Sequence, residues 1–202
     1  VWEVVQEPYL PEPAPGQVRV KMLATSASYT DTMIRKGAYP EIRKKPPFSL
    51  GYDLVGVVDK LGEGARRFRP GDRVCDLTVI GAYSEYLCAD EDRLVPLPDD
   101  LDSGEAVSLV LSFMTAYQML HRTAKVQPGQ SILVHGAAGA VGSALLALAR
   151  LHDVNAYGTA SGKKHDLLEA YGASLIDYRR EDFVERLSRE APEGVDAAFD
   201  AL

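Results

Sequence analysis

A run of glycine and alanine in the second half of the chain has the composition and spacing of a phosphate-binding loop. It follows an apolar, β-rich segment at 132–134 and precedes a helix pattern of small and apolar residues at 143–151. The loop reads Ala137-x-Gly139-x-x-Gly142, which is the G-x-G-x-x-G spacing with alanine in the first place. In that context a pyrophosphate lies at the helix N-terminus, where free N–H groups and the helix dipole favour negative charge.

The loop residues are expected to have separate roles in binding a dinucleotide. We expect Gly139 to let the backbone approach the pyrophosphate and Gly142 to let the helix pack closely on the strand. The residues assigned to this contact are Ala138, Gly139, Ala140, Val141 and Gly142. The alternative is a tight turn between any strand and helix, and the flanking patterns on both sides favour the nucleotide loop over it.

The end of the second predicted strand, 154–159, carries groups that select between two dinucleotides. NAD sites place Asp or Glu about 20 residues past the glycines, where it binds the ribose 2′-hydroxyl. Here Ser161, Lys163 and Lys164 follow the strand instead, and Tyr178, after the third strand, adds a hydroxyl or a ring face. These groups suit a 2′-phosphate, so the sequence predicts NADPH. The alternative is a solvated first turn of a helix, where the helix dipole disfavours lysine.

The elements that position these residues alternate between strand and helix patterns. After the glycine loop, strands are predicted at 154–159, 174–176 and 196–202, with helices at 163–171 and 181–189. This alternation indicates an α/β fold with a doubly wound parallel sheet. A complete sheet of this kind has about six strands, so we expect this one to be incomplete.

The first half of the chain has short strand patterns separated by proline and glycine turns. Their spacing predicts a small, partly closed β-barrel, followed by an apolar helix at 106–122. A turn at 126–130 then separates two predicted domains, 1–127 and 128–202. The predicted strands of the first domain lie at Gln17–Ala24, at 54–60, from Arg73 onward, at 82–88 and at 93–96.

Composition limits the compartment and the partners. The chain has 202 residues and a net charge of −7, which counts against nucleic-acid binding. No apolar run approaches the length of about 18 residues that a membrane span needs. The two cysteines, Cys75 and Cys88, fit neither a metal spacing nor a disulfide framework, which favours a reducing, cytoplasmic location.

Four segments together resemble one enzyme superfamily. In chain order they are LGEGARRFRPGDRV, GAYSEYL, MTAYQML and VQPGQSILVHGAAGAVG. The combination resembles the medium-chain dehydrogenase/reductase superfamily, and within it the zinc-free, zeta-crystallin-like quinone oxidoreductases, over essentially the whole chain. The resemblance implies a GroES-like catalytic domain followed by a Rossmann nucleotide-binding domain. It also implies a chain truncated at both ends and a parent protein that is a homo-oligomer.

The residues at the zinc positions of this superfamily differ here. Zinc-dependent relatives have cysteine where this chain has Ser28, and the sequence G-H-E where it has Gly51-Tyr52-Asp53. They also carry a lobe of four cysteines, where only Cys75 is found here. Catalytic zinc needs about three protein ligands, so we expect no metal.

The resemblance implies hydride transfer from NADPH to a quinone or an α,β-unsaturated carbonyl compound. Tyr29 and Tyr52, at the former zinc positions, are candidates to bind the carbonyl oxygen or to relay a proton. The alternative is that both only line a cleft. Thr115 matches the position that contacts the nicotinamide end, and its alternative is a mid-helix threonine bonded to its own backbone.

Two other classes of function stay open at this point. One is a nucleotide-binding but non-catalytic protein of the vesicle-associated or crystallin type, with no nucleic-acid partner expected. The other is an inactive fragment of an oxidoreductase. An active enzyme consumes NADPH in the presence of a simple quinone, whereas a protein of either other class does not.

Overall fold

The computed structural model describes residues 3–40, 42 and 44–201. They form two compact units, one ending at Leu111 and the other beginning at Ser112. The division falls within a helix whose first half packs on Val55 of the first unit, through Ala106 and Val107. This division lies before the turn at 127/128, so the compact units do not coincide with the predicted domains 1–127 and 128–202. The assignment of those two ranges to a GroES-like domain and a Rossmann domain stays a prediction.

An antiparallel sheet forms the core of the first unit. Within the described residues it has five strands in the order β4-β1-β2-β3-β5. Alternate residues of β1 are buried, with Val18 and Val20 inward and Lys21 exposed, as expected for a sheet with one solvated face. The elements are β1 (Gln17–Ala24), α1 (Tyr29–Arg35), β2 (Leu54–Leu61), β3 (Arg73–Asp76), β4 (Tyr86–Asp90), β5 (Val95–Pro96) and the first half of α2 (Ser103–Tyr117).

Helix α1 is an element that the sequence patterns did not predict. Ser28 caps it in a capping box, in which the Asp31 backbone N–H donates to Ser28 and the Ser28 backbone N–H donates to Asp31. The helix has seven residues, of which Asp31 and Ile34 are buried. So short a helix has little apolar periodicity, and the Ser-x-x-Asp cap is the signal that marks it.

The second unit contains a wholly parallel sheet in the order β8-β7-β6-β9. This confirms the predicted α/β fold class. Strand β6 pairs with β7 on one side and with β9 on the other, so the order of strands reverses direction beside it, where sheets of this kind bind ligands. The elements are β6 (Ser131–His135), α3 (Ala140–Leu151), β7 (Asn155–Ala160), β8 (Ser174–Asp177), α4 (Phe183–Glu190) and β9 (Ala197–Asp200).

The predicted helix at 163–171 is wrong. The segment contains two short 3₁₀ turns, Gly162–Lys164 and Glu169–Tyr171. Their hydrogen bonds span three residues, as in the bonds from the His165 N–H to the Gly162 carbonyl (3.2 Å) and from the Gly172 N–H to the Glu169 carbonyl (3.0 Å). Two lysines at the start oppose a helix dipole, and the left-handed Gly172 ends the segment after a few residues.

Other boundaries differ by a few residues from the predicted ones. The strand predicted at 82–88 begins at Tyr86. The helix predicted at 106–122 is α-helical only over Ser103–Tyr117 and continues as a π-helix over Gln118–Thr123. The strand predicted at 196–202 covers Ala197–Asp200, and its last residue lies outside the described residues.

Candidate functional site

The glycine loop is a tight turn that runs directly into helix α3. The Gly139 N–H donates to the Gly136 carbonyl (2.8 Å), and the Ser143 N–H donates to the Gly139 carbonyl (2.8 Å), which is the first turn of the helix. Gly136 has a φ of +68°, a conformation that L-residues with a side chain rarely adopt. The glycine that makes the tight turn is therefore Gly136. It lies one residue before Ala137, which occupies the first position of the G-x-G-x-x-G spacing.

Gly142 packs against the backbone of the loop. A Cβ at this position would lie 2.8 Å from the Ala137 Cα and closer still to the Gly136 carbonyl. No side chain fits there without a shift of the backbone. The absence of a side chain therefore lets α3 begin directly beside the end of β6.

The space beside Gly139 is more open. A Cβ here would meet the Gly136 carbonyl at 3.2 Å and the Ala201 carbonyl at 3.9 Å, and both Gly139 and Ala140 are exposed. Gly139 is the N-cap of α3 and offers no side-chain acceptor. The first N–H groups of a helix have no intrahelical partner, so those of Ala140, Val141 and Gly142 are placed to receive a phosphate. The loop fits a pyrophosphate.

The loop is held at the end of the sheet by contacts with β7. The Ala137 N–H donates to the Thr159 carbonyl (3.0 Å). The Nδ1 atom of His135 lies 3.0 Å from the Thr159 Oγ1 atom, and its ring meets the Phe183 ring edge to face at 4.8 Å. His135 is thus a packing and bridging residue, which orders the ends of β6 and β7 beneath the loop.

A cavity of about 460 Å³ lies at the carboxyl ends of β7 and β8. This is the edge of the sheet from which the glycine loop also emerges, and parallel sheets bind ligands at this edge. A larger cavity of about 710 Å³ lies beside the opposite ends of these strands, where Asn155 and Ser174 begin them. The 460 Å³ cavity is lined by Ser161, Gly162, Lys163, Asp177, Arg179 and Arg180.

Three of the lining side chains are cationic, and the sequence predicted one of them. Ser161 and Lys163 line the cavity, whereas Lys164 and Tyr178 lie outside its lining; the contact of all four with a cofactor stays a prediction. The Tyr178 ring is 5.8 Å from the Arg179 guanidinium carbon.

The two arginines, Arg179 and Arg180, were missed. The signal that marks them is an Arg-Arg pair two residues after strand β8. The helix-dipole argument for the lysines does not hold, because no α-helix begins there.

Asp177 brings a carboxylate into this otherwise cationic cavity. It is buried and accepts a hydrogen bond from the Arg179 N–H (3.1 Å). A Cβ at Gly162 would lie 2.6 Å from its Oδ2 atom, so the loop after β7 comes very close to it. Carboxylates in nucleotide sites commonly bind ribose hydroxyls, whereas cationic side chains commonly bind phosphate. Asp177 ends β8, so the residue pattern at the end of β7 gave no sign of it.

Thr115 lies in the second unit, near the C-terminal end of α2, and is half-buried. Its neighbour Ala116 is fully buried in the core of that unit, together with Leu120 on the following turn. The contact of Thr115 with a nicotinamide stays a prediction.

The two predicted tyrosines lie in different surroundings in the first unit. Tyr29 is the first residue of α1 and is 78% exposed. Tyr52 is 6% exposed and packs in an apolar cluster with Ile34 and Leu50. Its hydroxyl lies 2.6 Å from that of Tyr39. The sequence patterns gave no sign of this pairing, because the two residues are joined only by the fold.

Two buried carboxylates lie in the same unit as these tyrosines. The Asp53 oxygens accept hydrogen bonds from the Ser26 N–H (2.8 Å) and hydroxyl (2.7 Å). Asp31 accepts from the Gly51 N–H (3.2 Å) and the Tyr83 hydroxyl (3.2 Å). The pKa of Tyr83 is raised to about 12, mainly because the side chain is buried and secondly because the Asp31 carboxylate lies nearby.

These contacts bear on whether a metal fits. Tyr52 and Asp53 align with the zinc-site residues of the superfamily. The Asp53 carboxylate accepts hydrogen bonds from Ser26, and the Tyr52 hydroxyl is hydrogen-bonded to Tyr39. Across the described part of the chain, no group of three or more His, Cys, Asp or Glu could hold a metal ion. The donor set does not fit a catalytic zinc.

Comparison with known proteins identifies the class. Residues 14–99 match the family described as the alcohol dehydrogenase GroES-like domain. The chain is 36% identical over 196 residues to the synaptic vesicle membrane protein VAT-1 homolog of Rattus norvegicus, covering 95% of this chain and 48% of that protein. It is 32% identical over 199 residues to the quinone oxidoreductase of Rattus norvegicus, covering 96% of this chain and 60% of that protein.

A solved structure agrees with these relatives. Escherichia coli quinone oxidoreductase complexed with NADPH matches with a TM-score of 0.84 and 32% identity, over 93% of this chain and 58% of that chain. The matches combine a GroES-like domain with a parallel sheet of the kind found in the second unit. These matches are to members of the medium-chain dehydrogenase/reductase superfamily, and they confirm the resemblance. The chain spans 48% to 60% of these two relatives, and no described helix is long and apolar enough to cross a membrane.

Proposed function

We propose that the full-length protein is an NADPH-dependent oxidoreductase that reduces a quinone or an α,β-unsaturated carbonyl compound without zinc. The observation that carries this proposal is the cavity at the ends of β7 and β8, where Lys163, Arg179 and Arg180 line the wall with Ser161. Cationic side chains and a hydroxyl are the groups that bind a phosphate monoester. The quinone oxidoreductase relatives support the reaction class.

The cofactor is held by two anion sites on one edge of the parallel sheet. The first N–H groups of α3 bind the pyrophosphate, with Ala138 and Gly139 shaping the approach. The cavity binds the 2′-phosphate, and Lys164 and Tyr178 contact the adenosine end from its rim. Thr115 contacts the nicotinamide end. When bound, the nicotinamide supplies the hydride.

The protein supplies hydrogen bonding to the substrate in place of a metal. Negative charge develops on the carbonyl oxygen as hydride adds, and a hydroxyl donor at that oxygen lowers the barrier. Of the two candidates, Tyr52 has a buried hydroxyl in apolar surroundings, where such a bond is stronger than in water. The Tyr29 side chain is largely exposed and competes with water for its hydrogen bonds.

The direct test is consumption of NADPH by the purified full-length protein with a simple quinone and with a simple enone. The proposal expects turnover with at least one acceptor, and a denatured sample serves as the blank. Binding of NADPH without turnover by either acceptor would contradict the enzymatic part of the proposal.

That outcome would favour a second candidate, a nucleotide-binding protein of the vesicle-associated type. The observation in its favour is the 36% identity to the rat VAT-1 homolog. Under either candidate we propose a cytoplasmic protein that assembles as a homo-oligomer and binds a small molecule rather than nucleic acid. The net charge of −7 supports the last point.

A further inference from the structure

We propose that Asp177 accepts a hydrogen bond from the ribose 3′-hydroxyl of the cofactor, and that it thereby restricts the cavity at the ends of β7 and β8 to a phosphate on the 2′-oxygen. The inference rests on the proposed function, in which this cavity binds the 2′-phosphate. It adds a residue that determines which position of the phosphate the site accepts.

The register of the parallel sheet places Asp177 at the cavity. Asp177 is the last residue of β8 and lies beside Ala160, the last residue of β7. The next two residues after β7, Ser161 and Gly162, line the cavity together with Asp177. All of these residues belong to the second unit, so the site needs no contribution from the first.

The protein uses one oxygen of the Asp177 carboxylate and leaves the other available. The Oδ1 atom accepts a hydrogen bond from the Arg179 N–H (3.1 Å). Within the described part of the chain no group donates to Oδ2, and this atom keeps contact with solvent although the residue is buried. An ionised carboxylate oxygen is an acceptor only, so Oδ2 is free to accept a hydrogen bond from a ligand hydroxyl in the cavity.

The cations beside Asp177 are equally available. Lys163, Arg179 and Arg180 line the same cavity. None of them forms an ion pair with Asp177 or with another acidic side chain in the part of the chain that the structure describes. Three positive charges and one negative charge leave the lining with two net positive charges. That charge balances a phosphate monoester, which carries about −1.5 to −2 at neutral pH.

An adenosine 2′-phosphate presents both kinds of partner to this lining. Its phosphate and its 3′-hydroxyl stand on adjacent carbons, so the groups that bind them must also be neighbours. The cations bind the phosphate, and Oδ2 accepts a charge-assisted hydrogen bond from the hydroxyl. A phosphate on the 3′-oxygen would remove that hydroxyl and bring a second anion against the carboxylate, which disfavours the wrong isomer by repulsion.

Gly162 keeps the carboxylate in this place. A Cβ at Gly162 would lie 2.6 Å from the Asp177 Oδ2 atom and 3.4 Å from its Cγ atom. The φ of Gly162 lies outside the left-handed region, so alanine suits the backbone there and would displace the carboxylate instead.

Two isomeric ligands test the inference by calorimetric titration of the full-length protein. Adenosine 2′,5′-bisphosphate and adenosine 3′,5′-bisphosphate carry the same charge and differ only in the position of one phosphate. The wild-type protein is expected to bind the 2′,5′ isomer at least about tenfold more tightly. Asp177→Asn should reduce this preference to less than about threefold, mainly because the 3′,5′ isomer binds more tightly once the repulsion is removed.

Two further variants separate the role of the carboxylate from a change in the fold. Gly162→Ala leaves the carboxylate chemically intact but displaced, so it should lose the preference as Asp177→Asn does, and it decides the matter if Asp177→Asn does not fold. Asp153→Asn is the matched control, because Asp153 lines the other cavity, beside the opposite ends of these strands. It should keep the full preference.

The outcomes distinguish this inference from the proposed function. If both bisphosphates bind the wild-type protein alike, and each more tightly than adenosine 5′-monophosphate, the inference is overturned and the phosphate site remains. A preference that survives both Asp177→Asn and Gly162→Ala would overturn it as well. If the 2′,5′ isomer binds no more tightly than adenosine 5′-monophosphate, the proposed function is overturned, and this inference with it.

Discussion

At the scale of single residues, the hydrogen bonds of Asp31 explain why a carboxylate is tolerated in the interior of the first unit. It accepts from Ser28, from the Gly51 N–H and from the Tyr83 hydroxyl. Each of these bonds offsets part of the cost of burying the charge. The aspartate that aligns with a zinc-site motif is therefore a structural anchor between α1 and the loop that precedes β2.

The pKa of Tyr83 makes a testable prediction about stability at high pH. Because its pKa is raised from 10.0 to about 12, the unfolded chain releases the proton before the folded one does. Its contribution to stability is therefore complete below pH 10 and is lost as the pH rises toward 12. We expect Tyr83→Phe to be less stable than wild type by about 1 kcal/mol at neutral pH. The deficit should shrink above pH 10 in chemical denaturation. A deficit that stays constant across this range would contradict the assignment.

At the scale of elements, the strands of the second unit could be predicted from the pattern of apolar residues, whereas the segment between β7 and β8 could not. The apolar strands and the glycine loop are visible in the sequence because burial and phosphate approach need particular residue types. The segment from Gly162 to Tyr171 has helix-forming residues, yet i to i+3 bonds and the left-handed Gly172 make it two 3₁₀ turns.

Contacts between distant residues explain what the sequence could not reveal about the site. Arg179 and Arg180 reach the cavity because β8 lies beside β7 in parallel register. The pairing of Tyr39 with Tyr52 depends on packing of a loop on the start of β2. By contrast, Ser161 and Lys163 were predicted, since they directly follow a strand that the pattern marked.

The two glycines of the loop predict opposite outcomes on substitution. Gly139→Val should abolish NADPH binding and change the melting temperature little, because its surroundings are open except toward the Gly136 carbonyl. Gly142→Val should destabilise the fold by about 1–3 kcal/mol or more, since a Cβ there meets backbone. Calorimetric titration and thermal melting on both variants check this. Retained NADPH affinity in Gly139→Val would show that the loop is only a turn.

At the scale of the whole molecule, the chemistry proposed here needs no metal. Elemental analysis of the full-length protein should find no stoichiometric zinc, and a chelator should leave NADPH consumption unchanged. The reason is the donor set, in which Asp53 is engaged by Ser26 and Tyr52 by Tyr39. One tightly bound zinc per chain, removed by chelator together with the activity, would refute this account.

The central claim is that the cavity at the ends of β7 and β8 holds a 2′-phosphate, and cofactor preference measures it most directly. Calorimetric titration of the full-length protein should show NADPH binding at least about tenfold more tightly than NADH, from charge-assisted bonds to phosphate. Lys163→Ala should remove much of this preference, and the matched control Lys21→Ala, on β1 of the first unit, should keep it. Equal affinities, or a preference for NADH that Asp177→Asn abolishes, would contradict the account.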